Sequence, residues 1–170
     1  MRINAVTMCV FVATIASAQN LQSFSGTWRV DAGKSQEKAA PVKNPIKGAP
    51  QIPPPPPTNH EYTLEQIRQT DDVLKISGGE AGTTAVYTID LSGKQVSDPI
   101  PDAPGVVRIA SSHWAHGKIV TQWHMQRNGQ TFMHGTDTRN LIPDGRLILE
   151  RIIESPSHRA EVVLVLDKVR

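Results

Sequence analysis

The chain has 170 residues, a length that favours a single domain, and its 38% apolar and 20% charged residues suit a folded protein rather than a disordered one. A formal net charge of +2 excludes the large basic excess that would make nucleic acid an obligate partner. Thirteen prolines and twelve glycines against eight aromatics point to many turns, and so to a β-rich fold.

Residues 1–18 read as a signal peptide. A single cation, Arg2, precedes an uncharged run rich in Val, Met, Phe and Ile, which ends in Ala16-Ser17-Ala18, a small-x-small cleavage pattern. The run falls short of the roughly 20 apolar residues that a membrane-spanning helix needs. The expectation is therefore a secreted or periplasmic protein with no membrane span after processing. Cys9, the only cysteine, lies inside this run, so a cut after Ala18 leaves a mature chain that no disulfide can staple. Residues 19–170 must then bury a real core as one domain.

Ser25 to Asp31 alternates, with Gly26, Trp28 and Val30 on one face of a first strand. Residues 32–58 show no apolar period. Eight of the thirteen prolines fall between Pro41 and Pro57, five of them consecutive from Pro53, which predicts a long, stiff, extended loop on the surface. From Asn59 the chain reads as successive strands separated by turn residues. These strands are 60–69, 73–77, 83–90, a short one near 94–97, 106–114, 118–126, 130–142, 146–154 and 160–169. The pattern predicts an all-β fold, an antiparallel up-and-down β-barrel of eight to ten strands, with a β-sandwich as the alternative.

Two hairpins carry a register. Two-residue turns at His116-Gly117 and Asn128-Gly129 set Trp114 opposite Ile119, Ser112 opposite Thr121, and Ala110 opposite Trp123. Continued through the second turn, the count sets Trp123 opposite His134, Met125 opposite Phe132, and Thr121 opposite Thr136. The expected inner face then mixes apolar walls (Trp114, Trp123, Phe132) with polar groups (Thr121, His134, Thr136), the composition of a pocket for a small, largely apolar ligand. His113, Val120, Gln122, His124, Gln126 and Asp137 fall on the opposite face, expected to be solvated. The register beyond Ile142 stays open, and with it whether Glu150 or Arg151 turns inward.

Gly26-Thr27-Trp28, near the expected mature N-terminus and opening the first strand of a barrel, resembles the signature of the lipocalin and wider calycin group. The stretch FSGTWRVDAGKS (24–35), with W-x-x-G-K at Trp114 to Lys118, resembles exported bacterial lipocalin-like proteins of unassigned activity. The resemblance implies a barrel whose base is closed by Trp28 under a cation from the last strand, Lys168 or Arg170. It also implies that the loop after the first strand covers the open end. Avidins share G-T-W, but Val30 stands where a biotin-reading asparagine would be expected.

The functional expectation is an exported, monomeric lipocalin-like protein that binds a small lipophilic molecule, with no cofactor and no metal. One alternative is an interaction module with a solid barrel and a partner-binding proline-rich loop. Another is a haem-binding or small enzymatic barrel using His134. The six histidines show no dense metal-ligand spacing, and no nucleophile stands with a base or paired carboxylate, so an enzyme is the lesser reading.

Overall fold

The computed structural model describes residues 23–41, 64–79, 85–100 and 103–169. The signal-peptide stretch, the proline-rich run from 42 to 58, His60 and Arg170 lie outside the described residues. Within them the chain forms eleven strands and no helix. These are β1 (Gly26–Val30), β2 (Gln36–Pro41), β3 (Leu64–Thr70), β4 (Val73–Gly79), β5 (Ala85–Asp90) and β6 (Val96–Pro99). The longer strands follow: β7 (Val106–Ala115), β8 (Lys118–Arg127), β9 (Gln130–Leu141), β10 (Leu147–Glu154) and β11 (His158–Val169).

All pairings are antiparallel, and the hydrogen-bonded order β5-β4-β3-β1-β11-β10-β9-β8-β7-β6 makes a ten-position, nearly closed barrel. Chain neighbours pair because tight turns leave them no other geometry. His116-Gly117 and Asn128-Gly129 both turn with positive φ (50° and 78°, 51° and 78°), matching the right-handed twist of the strands they join. At the seam β5 lies against β6 without a strand ladder, and the Thr88 N–H donates instead to the Asp98 carboxylate at 3.0 Å.

The segment expected as a loop from residue 32 differs in its first part, because Gln36–Pro41 is a strand. β1 and β2 follow one another along β11: Thr27–Val30 pair with Val169–Leu166, and Gln36–Pro41 with Val163–His158. The loop between them keeps that edge satisfied, since Asp31 N–H donates to Val165 O at 2.7 Å and Val165 N–H to Ser35 Oγ at 3.1 Å. The side chains of 36–40 are mostly exposed, so β2 carries no hydrophobic period to read.

One end of the barrel is solid. Phe24, Trp28, Ile67, Leu74, Ile119 and Leu166 are fully buried there with their neighbours, and Trp114 packs against Phe24 with ring centroids 5.8 Å apart. Trp28 Nε1–H donates to Phe24 O at 2.9 Å, and Lys168 Nζ sits 5.4 Å from the Trp28 ring centroid. Gly26 makes this stacking geometrically feasible, because a Cβ there would lie 2.6 Å from Lys168 Cε.

Candidate functional site

Cross-strand rows position the interior. Ser112, Thr121, Asp137 and Arg151 form one row across β7–β10, and Ala110, Trp123, Gly135 and Ile153 form the next. Arg108 stands opposite Met125, and Arg139 lies between Ile119 and Leu149. The alternation that turns Trp114 and Ser112 inward along β7 also turns Arg108 inward, and Arg108 and Arg139 are both buried.

Four charged side chains therefore meet above the apolar base. Asp137 accepts three hydrogen bonds: Trp123 Nε1–H donates to Oδ1 at 2.8 Å, Arg151 Nε–H to Oδ1 at 2.9 Å, and Arg151 Nη2–H to Oδ2 at 2.8 Å. Arg139 Nη1 lies 3.7 Å from Asp137 Oδ2, close enough for an ion pair but with no hydrogen bond. Gly135 makes the Trp123 placement feasible, since a Cβ at that position would lie 2.5 Å from the indole Cζ2 and 2.2 Å from Ile152 O.

Burial pushes the Asp137 carboxyl upward, but the charge and hydrogen bonds of Arg151, then the charge of Arg139 and the Trp123 hydrogen bond, outweigh it and hold the group well below the usual carboxylate range. For Arg151 burial opposes the charged form, and Asp137 reverses that and raises the guanidinium above its ordinary value. Arg108 is shifted down by burial, which the attraction of Asp137 offsets only in part.

Arg108 is held by its neighbours' faces rather than by acceptors. Its guanidinium carbon lies 5.0 Å from the Tyr87 ring centroid and 5.9 Å from that of Trp123. Its Nη1 is 4.0 Å from Asp98 and has no hydrogen-bond acceptor. Arg139 Nε and Nη1 are likewise buried without an acceptor, and Glu65 Oε2 is buried without a donor.

Beside these groups is an interior cavity of about 110 Å³. Its apolar wall is Ile76, Tyr87, Trp123, Met125, Met133 and Ile153, and its polar side is Arg108, Asp137, Arg139 and Arg151. A guanidinium layer facing apolar walls can receive a molecule with an electron-rich end and an apolar body. A second concavity, about 340 Å³, lies on the outer surface, where Gln122, His124, His134 and Thr136 gather. It is shallow and open to solvent.

The first hairpin has the expected register, and the second departs from it. Arg127 faces Gln130 and Gln126 faces Thr131, but Met125 then faces Met133, so Phe132 is the extra residue of a β-bulge. One added residue reverses every later side chain on β9. His134 therefore pairs with His124 on the outside, 60% exposed and bonded to Glu154 at 2.9 Å, and Thr136 pairs with Gln122. Phe132 lies under Arg127, 5.7 Å from ring centroid to guanidinium. Asp137, expected in solvent, is instead 1% exposed at the centre of the site.

Of the residues expected to line a pocket, only Trp123 reaches the interior cavity. Trp114 belongs to the solid base, and Thr121 is buried in a hydrogen bond with Ser112 at 2.8 Å. The bulge carries His134, the candidate ligand of the haem alternative, to the outer face of the barrel. Among the described residues no three His, Cys, Asp or Glu side chains gather as a metal site. The open register beyond Ile142 is now defined: Arg151 faces Asp137 inward, and Glu150 faces Thr138 outward. Arg108 was within reach of the sequence, since it shares the parity of Ala110, Ser112 and Trp114. Arg139 was not, because its orientation depends on the bulge.

No protein-family model matches the sequence, and no curated protein matches it. Among solved structures the chain is similar to the REP1-NXSQ fatty acid transporter, with a TM-score of 0.51 and 8% identity over 86% of this chain and 96% of that one. A point variant of the same transporter aligns at a TM-score of 0.45 and 9% identity, covering 63% of this chain and 72% of the other. At such identities the likeness is one of fold: the chain shares an antiparallel β-barrel architecture with a protein named as a fatty acid transporter.

Proposed function

We propose that this chain is an exported binding protein that holds a small lipophilic molecule inside its barrel. The observation that carries the reading is the interior cavity, which has a packed apolar base below it, aromatic and methionine walls around it, and guanidinium groups at its side. Ten-position barrels have more interior than eight-position ones, whose side chains nearly fill them. The shared fold with a fatty acid transporter supports the same reading. Export rests on the apolar, Ala-Ser-Ala-terminated run of residues 1–18. Within the lipocalin-like resemblance, the Lys168 ammonium over the Trp28 ring supports the barrel-base role assigned to that pair.

The test uses methionine methyl NMR. Met125 and Met133 line the cavity, so their ¹³C-methyl resonances report its occupancy. Titration with small lipophiles (hexanol, hexanamide, hexanoate, benzoate) should shift both resonances saturably. Shifts that stay linear in concentration for every compound would refute interior binding.

A further inference from the structure

We infer that the occupant is a compact monocarboxylate, of short aliphatic or aromatic type, whose carboxylate lies between Arg108 and Arg139. The inference rests on the interior-binding reading and specifies its ligand class.

Unpaired donors outnumber unpaired acceptors around the cavity. Arg108 Nη1, Arg139 Nε and Arg139 Nη1 are buried beside the cavity and donate to nothing. Their side chains are 6% and 3% exposed, so bulk water does not serve them. Two of the neighbouring carboxylates are already engaged. Asp137 takes three hydrogen bonds from Trp123 and Arg151. Asp98 accepts the seam N–H of Thr88 and stands 4.0 Å from Arg108. Glu65 attracts Arg151, and its Oε2 is an idle acceptor. Three idle donors thus stand against one idle acceptor, and an ionised carboxylate is an acceptor-only group with about four lone-pair positions. Buried polar groups in folded proteins are nearly always satisfied, so three idle guanidinium donors on two side chains that line one cavity mark a place for a guest.

The volume sets the size. A cavity of about 110 Å³ is smaller than the roughly 150 Å³ apolar cavity that takes up benzene. The head group and its first carbons fill it. Further carbons must run between Met125 and Met133, whose unbranched side chains adapt to fill irregular space. Orientation follows from the layering: head toward the guanidinium layer, body toward the methionines. The stacking of Arg108 between Tyr87 and Trp123 fixes its plane before the ligand arrives.

The experiment is isothermal titration calorimetry with methionine methyl NMR on the full chain, comparing hexanoate with its neutral near-isostere hexanamide. Hexanoate should bind at least tenfold more tightly, and Arg139→Met should bring that ratio to within about threefold of unity. Arg108→Met is the second variant, and near-UV circular dichroism checks both folds. If both variants unfold, the wild-type ratio decides. Equal saturable affinities overturn the carboxylate assignment and leave interior binding standing. Absence of saturable shifts for either compound overturns both. A ratio unchanged in a folded Arg139→Met or Arg108→Met variant overturns that residue's assignment. Dodecanoate binding more tightly than hexanoate overturns the size limit.

Discussion

Substituting Asp137 with asparagine removes the one carboxylate that three hydrogen bonds and two guanidinium groups share, while nearly preserving its volume. The side chain is 1% exposed, and its oxygens accept from Trp123 and twice from Arg151 at 2.8–2.9 Å. An amide keeps one acceptor oxygen, so at most part of this set survives, and Arg139, 3% exposed, loses its nearest counter-charge. Breaking a buried ion pair from one side costs about 3–5 kcal/mol. That is roughly a fifth or more of the stability of an ordinary domain. With a urea slope of about 2 kcal/mol/M, the unfolding midpoint should fall by about 2 M. Equilibrium urea denaturation followed by tryptophan fluorescence measures it, and Trp123 reports the site directly. The double variant Asp137→Leu with Arg151→Met removes the pair instead of stranding one partner, so it should be more stable than Asp137→Leu alone. A loss under 1 kcal/mol in Asp137→Asn, or a double variant no better than the single, would refute the view that this carboxylate holds the charged layer together.

The same carboxylate predicts an acid limb. Its folded pKa is depressed, so it contributes stability above the unfolded value near 4 that is lost as pH falls toward the folded one; below pH 4 the wild type should lose stability more steeply than Asp137→Asn, as urea midpoints at pH 2–5 will show. Gly135→Ala places a methyl 2.5 Å from Trp123 Cζ2 and 2.2 Å from a backbone oxygen, so it should cost about 1–3 kcal/mol and change the near-ultraviolet tryptophan dichroism. Deleting Phe132 should be tolerated to within about 1 kcal/mol, the worth of its half-buried contact with Arg127, because the bulge residue is the one position on β9 whose loss leaves the inner face unchanged. A comparable deletion of Thr138 should reverse part of β9 and unfold the chain, and thermal melts of the two separate these outcomes. Lys168→Ala should lower stability by about 0.5–1 kcal/mol in the same melts through loss of its stacking on Trp28.

Strand order and most strand limits were legible because each depends on residues close in sequence. Alternation at Trp28 and Val30, and along 106–114 and 118–126, marks half-buried strands, while His116-Gly117 and Asn128-Gly129 mark tight antiparallel turns. The inner face of the first hairpin follows from counting. The short strand Val96–Pro99 lies two residues later than its expected place, since its one buried side chain is the polar Asp98 and it carries no hydrophobic pattern. β2 was hidden because its partner is about 120 residues away on β11, and nothing in Gln36–Ala40 demands a buried face.

The charged layer was decided by tertiary structure. A period of two conveys parity but no origin, so one unpaired residue at Phe132 was enough to exchange His134 and Thr136 for Asp137 and Arg139. No residue in Thr131-Phe132-Met133 announces that bulge; the barrel selects it, because without it β9 would point Asp137 and Arg139 outward and His134 and Thr136 inward. Arg151 then meets Asp137 only because β10 pairs with β9 beyond a turn whose length the sequence left open. Local chemistry thus dictated a barrel of alternating strands, and closure of that barrel chose which charges would face its interior.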